Sequence, residues 1–237
     1  MKKTNTILAA VGALLMLSVT GANSVEFKAG VSANGMGAYA NAKETLKGSG
    51  VKTGRTTNEE AVIATSYASL FAEISSDEIG GLGIGISYAP DVVEMDKETR
   101  HVADATGDSG NDTDGGVQSV DAKINDLVSL YLTLPVGGNG AYVKAGYIQA
   151  TLKTNEQLAT GSKYNDIDMS GTQVGGGYEG SLGESVFWRA EGSLQMWEDI
   201  SASGSEGGRV AASSLQKNKI SAELGSVVGS LSVGMKF

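Results

Sequence analysis

The chain has 237 residues, 27 acidic and 18 basic side chains, a net charge of -9, no cysteine and one histidine, His101. These counts exclude disulfides, thiolate metal sites and a cysteine nucleophile, rule out a histidine-rich zinc site, and speak against nucleic-acid binding, which needs a basic footprint. With 34 glycines, 2 prolines and 19% charged residues the chain is neither collagen-like nor Pro-rich and disordered.

Lys2 and Lys3 precede a mostly apolar run over residues 7–19, and Ala22, Asn23 and Ser24 make a small-x-small site. This is the three-part pattern of a cleavable signal peptide. Residues 1–24 are therefore expected to be removed, leaving 25–237 as one exported domain. The run has 13 residues, too few for a helix to cross ~30 Å of hydrocarbon.

Apolar residues then recur with period 2, the signal of a strand with two unlike faces. The clearest runs are Leu82, Ile84, Ile86, Tyr88; Val128, Leu130, Leu132, Leu134; Val143, Ala145, Tyr147; and Leu231, Val233, Met235, Phe237. Softer runs start at Phe27, Ala68, Val174 and Trp188, which predicts eight strands. Ile220, Ala222 and Leu224 are out of phase with the last strand, so a break is expected near Gly225. Long polar connections (43–60, 91–119, 153–168, 198–217) alternate with short ones (76–81, 136–140, 181–185). Short turns at one end, long loops at the other and an even strand count are the plan of an outer-membrane barrel.

Sidedness decides between this barrel and a soluble one with a greasy centre. Gly83, Gly85, Ser87, Gly175 and Gly177 occupy the non-apolar parity, where small residues suit a crowded eight-stranded interior. The mid-strand charges Glu73, Lys144, Glu179, Arg189 and Glu191 share that parity. Turned to lipid, Arg or Lys near the midplane would cost about 2–4 kcal/mol each; turned inward, the two signs can neutralise one another. These five are the expected interior charge network. Aromatic girdles are expected from Phe27, Tyr142, Tyr178, Trp188 and Phe237 at one end and Tyr39, Tyr88, Tyr147 and Trp197 at the other.

The chain ends Leu231, Val233, Met235, Phe237 at every second position. This resembles the C-terminal signature of Gram-negative outer-membrane barrels, and the region after residue 24 resembles the small eight-stranded barrels of the outer membrane protein A and X type. The resemblance implies an all-β, eight-stranded antiparallel up-and-down transmembrane barrel in the bacterial outer membrane. It also implies recognition of Phe237, Met235, Val233 and Leu231 by the barrel-assembly machinery, contact with the lipid bilayer and lipopolysaccharide, and a monomeric state without nucleic acid.

Residues 91–126 hold 10 acids and 3 bases. Within them 110–115 approaches a calcium loop, but Gly110 stands at the first ligand position and Asp121 replaces the terminal Glu, so the segment reads as a solvated acidic loop. His101 has no serine nucleophile at useful spacing. The expectation is a non-enzymatic barrel without metal or cofactor, with a structural and surface-interaction role. The alternatives are a narrow channel or small-solute porin, an adhesin or phage receptor, and a barrel hydrolase.

Overall fold

A computed structural model describes residues 25–45, 56–94, 98–102, 116–157, 162–206 and 219–237. The expected signal peptide (1–24) and the calcium-like motif (110–115) lie outside the described residues. The strands are β1 (Val25–Thr45), β2 (Thr56–Ser76), β3 (Leu82–Glu94), β4 (Glu98–Val102), β5 (Gly116–Pro135), β6 (Ala141–Gln157), β7 (Ser162–Lys163), β8 (Ile167–Ser181), β9 (Val186–Trp197), β10 (Ile200–Ser203), β11 (Ser205–Glu206) and β12 (Lys219–Lys236).

Eight long strands pair in the order β1-β2-β3-β5-β6-β8-β9-β12, and β12 pairs back onto β1. All these ladders are antiparallel, so the chain is an eight-stranded up-and-down barrel. One row of partners runs Lys28, Glu73, Gly85, Tyr131, Gly146, Gln173, Gln195, Ser226 and returns to β1 at Ala38. The stagger round the barrel is therefore ten residues, from 28 to 38. With a rise of about 3.3 Å and a strand spacing of about 4.8 Å, it tilts the strands by roughly 40°.

The apolar parity faces outward. Leu132 is 48% exposed and Leu231 67%, and Ile84, Leu130, Val143, Val174, Leu194 and Val233 stand on the same exterior. On β1 this face runs from Phe27 to Tyr39 before Asn41 and Lys43 take over. Twelve tilted residues span roughly 30 Å, the thickness of a bilayer core. Phe27 stacks with Phe237 at 5.7 Å and Tyr178 with Trp188 at 5.8 Å at the short-turn end. Two of the expected girdle aromatics turn inward instead: Tyr142 is buried and bonded to Glu191, and Trp197 packs on the interior apolar cluster.

The strands run further than the apolar alternation predicts. β1 and β2 extend into the first long polar segment from either side, to Thr45 and Thr56, and β5 begins at Gly116 inside the acidic segment. Past the apolar belt the ladders continue with polar residues outward, and the interior changes character. Met36, Ala38, Val92, Val93, Ile124, Leu127, Ile148, Met169, Ile200 and Val228 form a buried apolar cluster in the outer half of the lumen. This corrects two expectations. The interior is not polar throughout, and β12 has no break near Gly225: its register with β1 is continuous from Lys236 to Lys219. Ala222 and Leu224 are out of phase with the lipid-facing residues because they point into this cluster.

The wall is interrupted between β2 and β3. The β2–β3 ladder stops at Leu70 and Tyr88. Beyond it residues 56–69 of β2 pair with β1 alone among the described residues. The cause is local to β3: Pro90 has no N–H to donate, and the register shift between Asp91 and Val93 marks a bulge that swings Val92 and Val93 into the interior.

Candidate functional site

The inner half of the lumen is a cluster of ion pairs built on a guanidinium. Arg189, on β9, is 5% exposed and Glu73, on β2, 2%. Arg189 Nη1 and Nη2 donate to the two Glu73 carboxylate oxygens at 2.9 and 2.6 Å, and Nε donates to Glu179 at 2.8 Å. This is the fork geometry in which arginine binds carboxylates most strongly. Three rings enclose the same group, with Phe187, Tyr142 and Phe71 centroids 5.2, 5.4 and 5.5 Å from Arg189 Cζ. Desolvation of such a charge is tolerable only with this many partners.

Glu179 also accepts from Lys28 at 2.9 Å and pairs with Lys236 at 3.1 Å. Lys28 and Lys236 are direct partners in the β1–β12 ladder, so the shared carboxylate offsets their repulsion. Lys144 donates to Glu191 at 2.7 Å, Tyr142 donates to the other Glu191 oxygen at 2.9 Å, and the Lys144 ammonium lies 4.2 Å from the Tyr131 ring centroid. All five charged residues read from the sequence thus face the lumen, in two groups: Glu73, Arg189 and Glu179 in one, Lys144 and Glu191 in the other.

Sequence reasoning missed Lys28, Lys236, Tyr131 and Tyr142. A signal existed for the lysines, since each sits at the polar parity of a recognised strand. None existed for Tyr131 and Tyr142, whose phenols sit at inward positions that polarity alone leaves blank. Glycine makes room for them: a methyl on Gly85 would overlap the Tyr131 ring, and one on Gly177 would lie 2.7 Å from the Tyr142 hydroxyl.

Above the ion pairs, polar side chains on the lumenal face bond to one another between nearby strands. Ser32 and Ser232 share a hydrogen bond of 2.8 Å, Asn34 donates to Ser69 at 3.0 Å, Ser230 donates to Asn34 at 2.7 Å, and Gln173 donates to Ser129. The outer rim is ionic as well: Lys123 donates to Glu94, Tyr88 donates to Asp126 at 2.8 Å, and Asn125 donates to Asp91 at 2.6 Å. The hydrogen bond to Glu94 raises the pKa of the exposed Lys123 ammonium. Leu231, Val233, Met235 and Phe237 lie exposed on the exterior of β12 and just beyond its end. His101 lies on β4, in register with Val117.

No protein-family model matches the chain, and no curated protein matches it. Solved structures similar to the chain include several outer-membrane proteins. The outer membrane protein OprG of Pseudomonas aeruginosa is 18% identical, with 89% of this chain and 97% of that one covered, at a TM-score of 0.44. Neisserial surface protein A is 10% identical, with 86% and 97% covered, at 0.37. The outer membrane protease OmpT of Escherichia coli is 9% identical, with 92% and 99% covered, at 0.40. These likenesses assign no function.

Proposed function

We propose that the chain is a non-enzymatic barrel of the bacterial outer membrane whose role is structural and surface-interacting. The observation that carries this reading is the lumen. Paired charges fill its inner half and an apolar cluster its outer half. The lumenal carboxylates Glu73, Glu179 and Glu191 are each held by a cation, so none stands free as a general base. The surface left for interaction is the long-loop end, where residues 91–126 concentrate acidic side chains. The exterior apolar belt would meet lipid, the outer rim lipopolysaccharide, and the terminal Leu231, Val233, Met235 and Phe237 the assembly machinery during insertion of a monomer.

Fractionation of expressing cells tests the location. The protein is expected in the outer membrane, with faster gel mobility before boiling than after it. Recovery in the periplasmic fraction without a heat-dependent shift would defeat the reading. Loop exchange tests the role: replacing residues 103–115, between β4 and β5, with a short turn is expected to leave the heat shift intact and to remove any cell or phage binding. A narrow channel is the second reading, favoured by a cavity of about 50 Å3 at mid-lumen. Stepwise conductance of the purified protein in planar bilayers would select it.

A further inference from the structure

Between the ion pairs and the apolar cluster the lumen is open. The cavity there measures about 50 Å3, room for roughly three to five waters at ~10–15 Å3 each. Its wall mixes aromatic and aliphatic side chains such as Phe71, Tyr131 and Leu127 with many hydroxyls. Ser32, Ser69, Ser87, Ser129, Ser193 and Ser230 contribute hydroxyls from six different strands, and the amides of Asn34 and Gln173 join them. Each hydroxyl offers one donor and two acceptor positions, and the inter-strand bonds of Ser32, Ser69 and Ser230 use only part of that capacity. The charges at its edge, Lys144, Arg189 and Glu191, are already paired. A neutral hydrogen-bonding guest therefore suits the site better than an ion, which would find no free counter-charge.

The cavity also lies beside the gap between β2 and β3. Ser69 and Ala89 both line it, and they are the first residues beyond the last β2–β3 ladder pair, Leu70 and Tyr88. Above them the Thr65 hydroxyl donates to the Val92 carbonyl at 3.2 Å, one side-chain bond where the neighbouring seams have ladders. The ion pairs lie below the cavity and the apolar cluster above it, and the β2–β3 gap lies at its side.

We infer that this chamber binds a small neutral hydrogen-bonding solute, the size of urea or ethylene glycol, admitted between β2 and β3. Ethylene glycol is the probe and sorbitol the size control. Saturation-transfer NMR on the full-length protein in lipid nanodiscs is expected to show transfer to ethylene glycol and none to sorbitol. Ser69→Phe, which fills the chamber, is expected to weaken binding at least tenfold. The double variant Thr65→Cys/Val92→Cys tests the entrance within one molecule, because the chain has no other cysteine. Oxidation is expected to abolish transfer and reduction to restore it, with the heat-dependent gel shift retained throughout. Absent transfer to ethylene glycol, equal transfer to sorbitol, or transfer unchanged by oxidation and by Ser69→Phe would each overturn the inference. Cell fractionation is read separately, so failure here is distinguishable from failure of the proposed location.

Discussion

Arg189 concentrates the energetic logic of the lumen in one side chain. It holds two carboxylates and three rings while nearly excluded from solvent. Removing one member of such a pair leaves the other buried and uncompensated, at a cost of about 3–5 kcal/mol. Arg189→Met is therefore expected to lose about that much in urea unfolding from lipid vesicles. Arg189→Met with Glu73→Leu should recover a large part, because Glu179 keeps Lys28 and Lys236. A double variant no more stable than the single one would show that the pair's geometry, rather than charge compensation, holds the site. The charges were legible in the sequence through parity: Glu73, Lys144, Glu179, Arg189 and Glu191 all stand opposite the oily positions. Which carboxylate meets which cation was not, because Glu73 and Arg189 are 116 residues apart and only the closed stagger brings them together.

Strand by strand, alternation located all eight ladders, and the lipid-facing side followed from where it put glycine and charge. On β5 the two faces make opposite demands. Leu132 faces outward, so Leu132→Arg is expected to cost about 2–4 kcal/mol in the same unfolding measurement. Its neighbour Tyr131 points into the space that Gly85 leaves open. Gly85→Leu is expected to cost about 1–3 kcal/mol by overpacking. Strand ends were less legible, because past the belt the pattern inverts: polar residues turn outward, while Ala222 and Leu224 are apolar and inward. The seam was hidden for a different reason. β2 alternates normally across it, and the defect lies in its neighbour, at Pro90 and the bulge after Asp91. Amide exchange should expose it. Among residues 61–69, the β2 amides that face β3 are expected to exchange faster than those of 71–75, where β3 is paired. Uniform protection along β2 would mean that the seam is closed in solution.

For the molecule as a whole, two unlike materials close one tube. The inner half is shut by ion pairs whose attraction depends on exclusion of water, and the outer half by apolar side chains that resist wetting. Either material on its own is sufficient to stop a hydrated ion, since an eight-stranded interior has width only for side chains and a dry apolar constriction is itself a barrier. Conduction should therefore respond to the two halves jointly. Arg189→Ala alone leaves Met36, Ile148 and Val228 packed above the chamber, and Ile148→Ala alone leaves Glu73, Glu179 and Arg189 joined below it. Each single variant is expected to stay silent in planar bilayers, and the combination is expected to show discrete openings. Openings from Arg189→Ala by itself would assign the whole seal to the ion pairs. The apolar cluster would then be a stabilising core for the part of the barrel that stands above the membrane, with no share in closing it.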